Sequence, residues 1–349
     1  MDSYTDNKKN EFYIQWHFID SCNLRCIHCY QNDYLFKEPD LNKLSLIFHK
    51  LDDALAKWKM GGFVSLTGGE PFLSPSSLFY VAELIENSPN FQNVAILSNG
   101  TLIDENIIKE IKRFKKITEI QISIDGPDAQ IHESIRGKGT FLKTVETVRK
   151  LVSAGLKTSI MFTVHKKNMD YAEDMLYLAK ELKVNSLTIE RMTTMNEKEK
   201  NEFFINPYDL ERVYKNLYEK SKVVFAESVT KLITSRPLWN LVDESAGGFC
   251  PVGLSSVCIL HDGTVLPCRR LYLPLGNIIE EGLFKIWYGS KILWDIRNKK
   301  NPPDNSGVHP QSACSDINCS HFKRCGGCKA VSYYYHGNIH EKDPQCWLN

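Results

Sequence analysis

The cysteines constrain this chain more than any other feature of its sequence. Cys22, Cys26 and Cys29 form a C-x3-C-x2-C pattern directly after the apolar run Tyr13–Ile19, which predicts a strand followed by a loop. Three thiolates in so short a segment suit a 4Fe–4S cluster, whereas a tetrahedral structural zinc site normally takes four protein ligands. Three ligands would leave one iron of the cube open for chemistry. A zinc site and a buried apolar cysteine cluster are the alternatives that the spacing alone leaves open.

The other eight of the eleven cysteines all lie from residue 250 onward, and none occurs between residues 30 and 249. The chain is therefore predicted to have two modules, 11–235 and 236–349. The second module has short segments and little apolar content, so metal is expected to supply its cross-links. From spacing alone, two zinc sites are as good an explanation of eight cysteines as two iron–sulfur clusters.

Composition excludes several classes of function. The hydrophobic content is 42% and the net charge is +1, so no general field favours nucleic acid or an anionic membrane. No apolar run is long enough to span a bilayer, and the polar N-terminus lacks a signal-peptide core. The sequence thus predicts a cytoplasmic protein, in which eleven cysteines indicate metal rather than disulfides.

The region between the cysteine groups alternates β-type and helical segments. Predicted strands are Tyr13–Ile19, Phe63–Thr67, Asn93–Ser98, Glu119–Ile124, Lys157–Val164 and Ser186–Glu190. Predicted helices are Leu41–Met60, Ser76–Asn87, Asp104–Phe114, Thr140–Ala154, Asp170–Leu182 and Pro207–Val224. Six β/α units imply a parallel sheet but are too few for an eight-fold barrel. The polar segment Thr193–Asn206 is predicted to be a loop, and His261–Cys268 a hairpin with its turn at Asp262-Gly263.

Glycine and polar residues follow the predicted strands, where ligands bind in α/β proteins. They are Gly68, Gly69, Glu70, Ser98, Asn99, Ser123, Asp125, Arg136 and Arg191. Several of them also have an ordinary interpretation: tight turns for the glycine and asparagine segments, a solvated loop position for Arg136, and a plain salt bridge for Arg191. Ser123 and Asp125 alternate with isoleucines, so they are expected to share one face of their strand.

The cysteine spacing resembles that of the radical S-adenosylmethionine (SAM) enzymes, and the resemblance extends along nearly the whole chain. It implies a partial (β/α)6 TIM-like barrel in which Cys22, Cys26 and Cys29 hold the cluster whose open iron binds SAM. An electron from that cluster cleaves SAM to a 5′-deoxyadenosyl radical, so a reductant such as ferredoxin or flavodoxin is implied.

The same resemblance implies roles for the residues at the strand ends. His28 would lie beside the adenine, and Gly68, Gly69 and Glu70 would contact the SAM amino group. Ser98 and Asn99 would line the site. Ser123 and Asp125 would face the ribose, Arg136 would bind the SAM carboxylate, and Arg191 would line the pocket.

The C-terminal cysteines resemble those of the SPASM domain, which carries two auxiliary 4Fe–4S clusters and would bring the total to three. One cluster would take Cys250, Cys268 and Cys328, with Cys258 either as the fourth ligand or as an apolar strand residue. The other would take Cys314, Cys319, Cys325 and Cys346. This chain departs from the usual spacing, because Cys314 and Cys319 are separated by four residues and Cys325 and Cys328 by two.

Enzymes of this two-module type most often modify peptides, so the leading prediction is a maturase that cross-links or oxidises a ribosomal peptide. About a dozen residues precede the first strand, too few for a fused leader-binding domain, so recognition would need a separate protein or direct docking. A tetrapyrrole side-chain decarboxylase is one alternative, because Arg269 and Arg270 suit propionates. A sulfatase-maturing enzyme is disfavoured, since such enzymes have Asp at the position of Arg269. A zinc-stapled binding protein is the alternative that is not an enzyme.

Overall fold

Apolar runs and amphipathic segments form the strands and helices of two units. The computed structural model describes residues 11–31, 37–300, 319–321 and 324–348. The first unit contains the described residues of Met1–Asn23, Gln31–Gln121 and Pro251–Ile296. The second contains those of Leu24–Tyr30, Ile122–Cys250 and Arg297–Asn349. The predicted division at residues 235 and 236 stays a prediction.

The strands carry the polar residues of interest at or just beyond their carboxyl ends. They are β1 (Glu11–Ile19), β2 (Gly61–Gly68), β3 (Phe91–Ser98), β4 (Ile117–Ser123), β5 (Thr158–Val164), β6 (Ser186–Arg191), β7 (Lys231–Ile233), β8 (Ser256–Ile259), β9 (Thr264–Leu266) and β10 (Gly276–Asn277).

The helices connect these strands or follow them. They are α1 (Leu41–Trp58), α2 (Pro75–Asn87), α3 (Glu105–Ile111), α4 (Ala129–Arg136), α5 (Phe141–Ser153), α6 (Asp174–Glu181), α7 (Glu197–Phe203), α8 (Pro207–Val224), α9 (Ile278–Glu281), α10 (Leu283–Gly289), α11 (Lys291–Lys300) and α12 (Lys329–His336).

In the first unit the strand order is β10–β9–β8–β1–β2–β3–β4. β1 pairs in parallel with both β2 and β8, and β9 pairs antiparallel with β8 and β10. Phe12, Ile14 and Trp16 of β1 are buried, and Phe12 packs on Trp58 and Trp287 at ring distances of 4.8 and 5.0 Å. The C-terminal hairpin therefore extends the same sheet that begins with β1.

In the second unit β5, β6 and β7 form a parallel group in that order. Ile160 and Phe162 of β5 are fully buried. α8 contributes Tyr214, whose ring stacks on that of Trp239 at 4.0 Å. These contacts give the second unit an apolar core of its own.

The predicted α/β fold with parallel strands is confirmed, and one local expectation is wrong. The segment after Asp125 contains α4, which was not predicted, and Asp128 caps this helix by accepting a hydrogen bond from the Ile131 N–H. The segment predicted as a loop over 193–206 contains α7, which Asn196 caps in the same way. α4 has eight residues and α7 has seven, so each is too short to be stable by itself.

No helix in the described parts of the chain is both long enough and apolar enough to cross a membrane.

Candidate active site

Gly68 and Gly69 bring the end of β2 against the segment that leads to Cys22. A Cβ on Gly68, whose φ is +150°, would lie 1.9 Å from the Ile19 carbonyl oxygen, and one on Gly69 would lie 2.0 Å from that of Ser21. The Gly69 N–H donates to Ile19 O and the Glu70 N–H to Ser21 O, each at 2.8 Å. The two glycines therefore permit a backbone contact that fixes the approach to Cys22.

The Glu70 carboxylate joins the ends of β2 and β3. It is fully buried and accepts hydrogen bonds from the Ser98 hydroxyl at 2.8 Å and from the N–H groups of Asn99 and Phe72 at 2.7 and 3.1 Å. A buried carboxylate needs such donors to offset its lost hydration. A contact between Glu70 and the SAM amino group stays a prediction.

Asn99 extends this connection to the residue after Cys22. Its side-chain amide donates to Asn23 Oδ1 at 2.9 Å, and its own Oδ1 accepts from the N–H and hydroxyl of Thr101. Asn23 in turn donates to Thr101 Oγ1 at 2.9 Å. The predicted site-lining residues Ser98 and Asn99 are thus bonded into the support of the cysteine segment.

Cys26 and Cys29 lie in the second unit, in a loop that is tied to α4. The Ile27 N–H donates to Ile135 O at 3.0 Å, and the Cys29 N–H donates to Cys26 O at 3.1 Å. Cys22, Cys26 and Cys29 are all half-buried, and no disulfide joins any of the ten cysteines among the described residues. Partly accessible thiols outside disulfides fit the requirement for cluster ligands.

Asp125 is the centre of a buried polar network in the second unit. Its Oδ2 accepts from Arg136 Nε at 2.6 Å and from His28 Nε2 at 2.8 Å, and its Oδ1 accepts from the Thr163 N–H at 2.8 Å. A second nitrogen of Arg136, Nη1, lies 3.8 Å from Cys26 Sγ. Asp125 and Arg136, predicted to contact SAM directly, are thus held together next to the cysteine loop.

Electrostatics keep this network charged. Burial alone would raise the pKa of Asp125, but Arg136 and His28 hold it well below its ordinary value. Burial raises the pKa of the Cys26 thiol, whereas the positive charge of Arg136 acts in the opposite direction. Because an ionised carboxylate only accepts hydrogen bonds, His28 Nε2 must carry the proton that faces Asp125.

Two histidine nitrogens near this network are buried without a hydrogen-bond partner among the described residues. They are Nδ1 of His28 and Nε2 of His165, whose rings meet edge to face at 6.0 Å. Burial lowers the pKa of His165 to about 4, so the ring is neutral, and its Nδ1 accepts from the Lys167 N–H at 3.2 Å. The buried Nε2 of His165 is therefore a hydrogen-bond donor.

The sequence interpretation gave no role to His165 or to Asn168. Asn168 is buried, and its amide donates to the carbonyl oxygens of Asp125 and Thr163 at 3.2 and 3.0 Å. The signal was available, since His165 follows β5 directly and Asn168 lies three residues further along, as the other candidates follow their strands. Ser123 ends β4 and is half-buried.

Arg191 forms the salt bridge that was the alternative to a SAM contact. Its guanidinium binds both oxygens of Asp343, at 3.1 and 2.8 Å, and also binds Gln345. All three residues are buried.

The C-terminal cysteines in the second unit include three that interact electrostatically. Burial raises the pKa of Cys325 to about 11, and the charges of Asp343 and Cys346 act in the same direction. Burial likewise raises the pKa of Cys346, and the charge of Cys319 adds to that effect. Cys319, Cys325 and Cys346 belong to one predicted ligand set, whose fourth member, Cys314, lies outside the described residues. Cys325 Sγ also accepts a hydrogen bond from the Leu238 N–H at 3.3 Å.

The first unit contains the other pair of C-terminal cysteines. Cys258 is fully buried in β8, opposite Leu266 of β9. Burial raises the pKa of Cys258 well above its ordinary value, and the charge of Cys268 adds to this. Ligation by Cys258 stays a prediction.

His17 of β1 is a further buried group near this pair. Burial lowers its pKa well below the ordinary value, and the charge of Arg269 acts in the same direction. Its Nε2 has no hydrogen-bond partner among the described residues. The neutral imidazole of His17 therefore interacts with the guanidinium of Arg269, the residue that follows Cys268.

In the described parts of the chain, no three His, Cys, Asp or Glu side chains are arranged around a single metal ion. A 4Fe–4S cube does not need such a group, because each thiolate binds a different iron. The half-buried first cysteines and the interacting set at Cys319, Cys325 and Cys346 fit clusters of this kind.

Comparison with known proteins identifies the class. Residues 16–179 match the radical SAM superfamily, and residues 250–329 match the SPASM iron–sulfur cluster-binding domain. The chain therefore belongs to the radical SAM enzymes and carries a C-terminal SPASM domain. A partial TIM-like barrel followed by this small domain, a bound SAM and iron–sulfur clusters are properties of that class.

Individual relatives cover most of the chain. It is 24% identical to the AdoMet-dependent heme synthase of Methanosarcina barkeri, over 95% of both chains. It is 27% identical to the antilisterial bacteriocin subtilosin biosynthesis protein AlbA of Bacillus subtilis, over 93% of this chain and 69% of that protein. The structure of native anSMEcpe with bound AdoMet and the Kp18Cys peptide superposes with a TM-score of 0.75 at 19% identity, over 96% of this chain and 94% of that one.

Proposed function

We propose that this enzyme uses the 5′-deoxyadenosyl radical to modify a peptide that carries an acidic group near the reacting position. The observation that carries this proposal is Arg269, which directly follows Cys268 and interacts electrostatically with the buried His17. Burial and the charge of Arg269 keep His17 neutral. A carboxylate of the substrate would pair with the guanidinium of Arg269.

The first cluster would be held by Cys22, Cys26 and Cys29. SAM bound at such a cluster supplies, after one-electron cleavage, a radical that abstracts hydrogen from the substrate. The chain's own contribution is to position this segment. The contacts of Gly69 with Ile19 and of Asn99 with Asn23 hold the approach to Cys22 and the residue after it.

The second unit would bind the nucleoside part of SAM. The donor at His165 Nε2 and the buried Nδ1 of His28 suit polar atoms at the edge of an adenine. Asp125 fixes the His28 ring, and Arg136 neutralises Asp125. The remaining guanidinium nitrogens of Arg136 suit the SAM carboxylate. Ser123 is proposed to face the ribose.

The C-terminal module would hold two auxiliary clusters, which brings the total to three. One would use Cys250, Cys268 and Cys328, with Cys258 as the proposed fourth ligand, and the other Cys314, Cys319, Cys325 and Cys346. These clusters would accept an electron from the substrate radical. A ferredoxin or flavodoxin would supply the electron that starts the reaction.

A peptide substrate is supported by two of the similar proteins. One takes part in making a bacteriocin, and the other has been crystallised with a peptide. A tetrapyrrole side-chain decarboxylase is the second candidate, because the heme synthase matches this chain over 95% of the length of each. Both substrates carry carboxylates, so Arg269 serves either one.

The experiment compares the two substrates directly. Anaerobically purified enzyme receives SAM and dithionite with either a short acidic peptide encoded beside its gene or a propionate-bearing porphyrin. We expect the peptide to lose hydrogen by mass spectrometry while 5′-deoxyadenosine accumulates. Loss of carbon dioxide from the porphyrin, with an unchanged peptide, would establish the second candidate instead.

Arg269 provides the matched test of the acidic group. Arg269→Gln should raise the KM for the peptide about ten- to hundred-fold, because a hydrogen bond to a charged group is lost. Arg236→Gln is the control, since Arg236 forms a half-exposed ion pair with Glu190 at 2.7 Å. Equal effects of the two substitutions would contradict a role of Arg269 in binding.

A further inference from the structure

One buried residue, Asp343, contacts the backbone of two predicted cluster ligands. Its side-chain Oδ2 accepts from the Cys328 N–H at 2.9 Å, and its carbonyl oxygen accepts from the Cys346 N–H at 2.9 Å. Cys328 and Cys346 are assigned to different auxiliary clusters in the proposal above. Asp343 is thus placed to fix the ligand-bearing segments of both.

Arg191 completes the same arrangement from the end of β6. Its two terminal nitrogens bind the two oxygens of Asp343 in a bidentate pair, and Nη1 also donates to Gln345 Oε1 at 2.7 Å. The Gln345 N–H donates to Asp343 Oδ1 at 3.0 Å, and its side-chain amide donates to Ile205 O at 2.9 Å. The Asp343 carboxylate therefore accepts four hydrogen bonds, which saturates it.

Burial makes the charges of this pair effective. Arg191 is 3% exposed and Asp343 is fully buried, so water screens neither charge. Arg191 interacts electrostatically with Cys328, and Asp343 interacts electrostatically with Cys325. The ion pair thus lies near ligands of both predicted auxiliary clusters.

The backbone hydrogen bonds to Asp343 also bear on the reduction potentials of the clusters. Net charge and hydrogen bonds around the cluster sulfurs set the reduction potential of an iron–sulfur cluster. The Cys328 N–H is bonded to Asp343, which withholds this N–H from the sulfurs of a cluster. The Arg191–Asp343 pair thus affects both the net charge near the clusters and the hydrogen bonds that reach their sulfurs.

We propose that the Arg191–Asp343 ion pair is a positioning and potential-setting device for the two auxiliary clusters. It holds the segments of Cys328 and Cys346 in place, and it keeps the charge next to both clusters balanced. This inference rests on the proposed cluster ligation but not on the identity of the substrate.

The test uses the full chain with Cys22, Cys26 and Cys29 changed to alanine, so that only auxiliary clusters contribute. In this background Asp343→Asn, Arg191→Gln and the double variant are compared, with Arg236→Gln as the control. Iron per chain and the midpoint potentials of the clusters, by redox titration with electron paramagnetic resonance, are the readouts. None of these requires substrate or SAM cleavage.

The two single substitutions should shift the potentials in opposite directions. Asp343→Asn leaves a buried positive charge and should raise them, whereas Arg191→Gln leaves a negative charge and should lower them. If either single variant loses iron, the double variant should recover it, because no buried charge is left without its partner.

Several results would overturn the proposal. Shifts of the same sign in the two single variants would do so, as would effects no larger than that of Arg236→Gln. If the double variant lost as much iron as the single variants, an unbalanced charge would not be the cause of that iron loss. A parent protein without auxiliary iron would also refute it, whereas inactivity toward the peptide with intact clusters would refute only the proposed function.

Discussion

Asp125→Asn should be one of the most damaging conservative substitutions in this protein. Asp125 is fully buried and accepts from Arg136 at 2.6 Å and from His28 at 2.8 Å. The asparagine removes the negative charge but leaves the buried guanidinium of Arg136, which is only 8% exposed. Removing one partner of a buried ion pair costs about 3–5 kcal/mol, so we expect a loss of that size in the free energy of unfolding.

The assay is urea unfolding followed by tryptophan fluorescence, with Asp170→Asn as the matched control. Asp170 forms an ion pair with Arg212 at 3.2 Å, but the two side chains are 66% and 50% exposed. A solvated pair of this kind contributes about 0–1 kcal/mol. The double variant Asp125→Asn/Arg136→Gln should recover part of the loss, because it leaves no unpaired charge. A loss for Asp125→Asn no larger than that for Asp170→Asn would refute the reasoning.

Three further predictions concern the same framework. Gly69→Ala should prevent assembly of the first cluster, because the new Cβ would lie 2.0 Å from Ser21 O. Iron analysis tests this, with Gly289→Ala as the control, since a Cβ at Gly289 meets nothing within 4 Å. Asn99→Ala should cost about 1–2 kcal/mol and weaken iron retention, since the Asn23 contact is lost; Asn87→Ala, which loses only an exposed bond to Glu83 O, should cost less by urea unfolding. Burial lowers the pKa of both His132 and His165 to about 4, below the ordinary 6.5. Between these two pH values the unfolded chain binds more protons than the folded chain. The free energy of unfolding should therefore fall as the pH drops from about 6.5 to about 4. His165→Phe should flatten that slope in unfolding measurements across this range, and an unchanged slope would contradict the assignment of a neutral His165.

The fold was largely predictable because its elements follow simple periodic patterns. The runs that became β1 to β6 are apolar and bounded by glycine and polar residues, and each observed strand agrees with its prediction to within a few residues. α4 and α7 were not predicted, because helices of eight and seven residues span only about two turns. The placement of β8 beside β1 is a long-range pairing that no local pattern encodes.

The candidate site was predictable as a set of residues but not as a set of contacts. Position after a strand, together with the family resemblance, selected Glu70, Asp125 and Arg136. It did not reveal that Glu70 bonds to Ser98 or that Arg136 bonds to Asp125, because these partners are distant in sequence. The partner of Arg191, Asp343, lies 152 residues away, so only the folded chain could separate a salt bridge from a SAM contact.

The most direct test of the account is the iron content and SAM chemistry of the anaerobically purified protein. We predict about twelve irons per chain, falling by about four in Cys22→Ala/Cys26→Ala/Cys29→Ala, and dithionite-dependent cleavage of SAM to 5′-deoxyadenosine only in the wild type. About two zinc ions with little iron, and no cleavage of SAM, would contradict it.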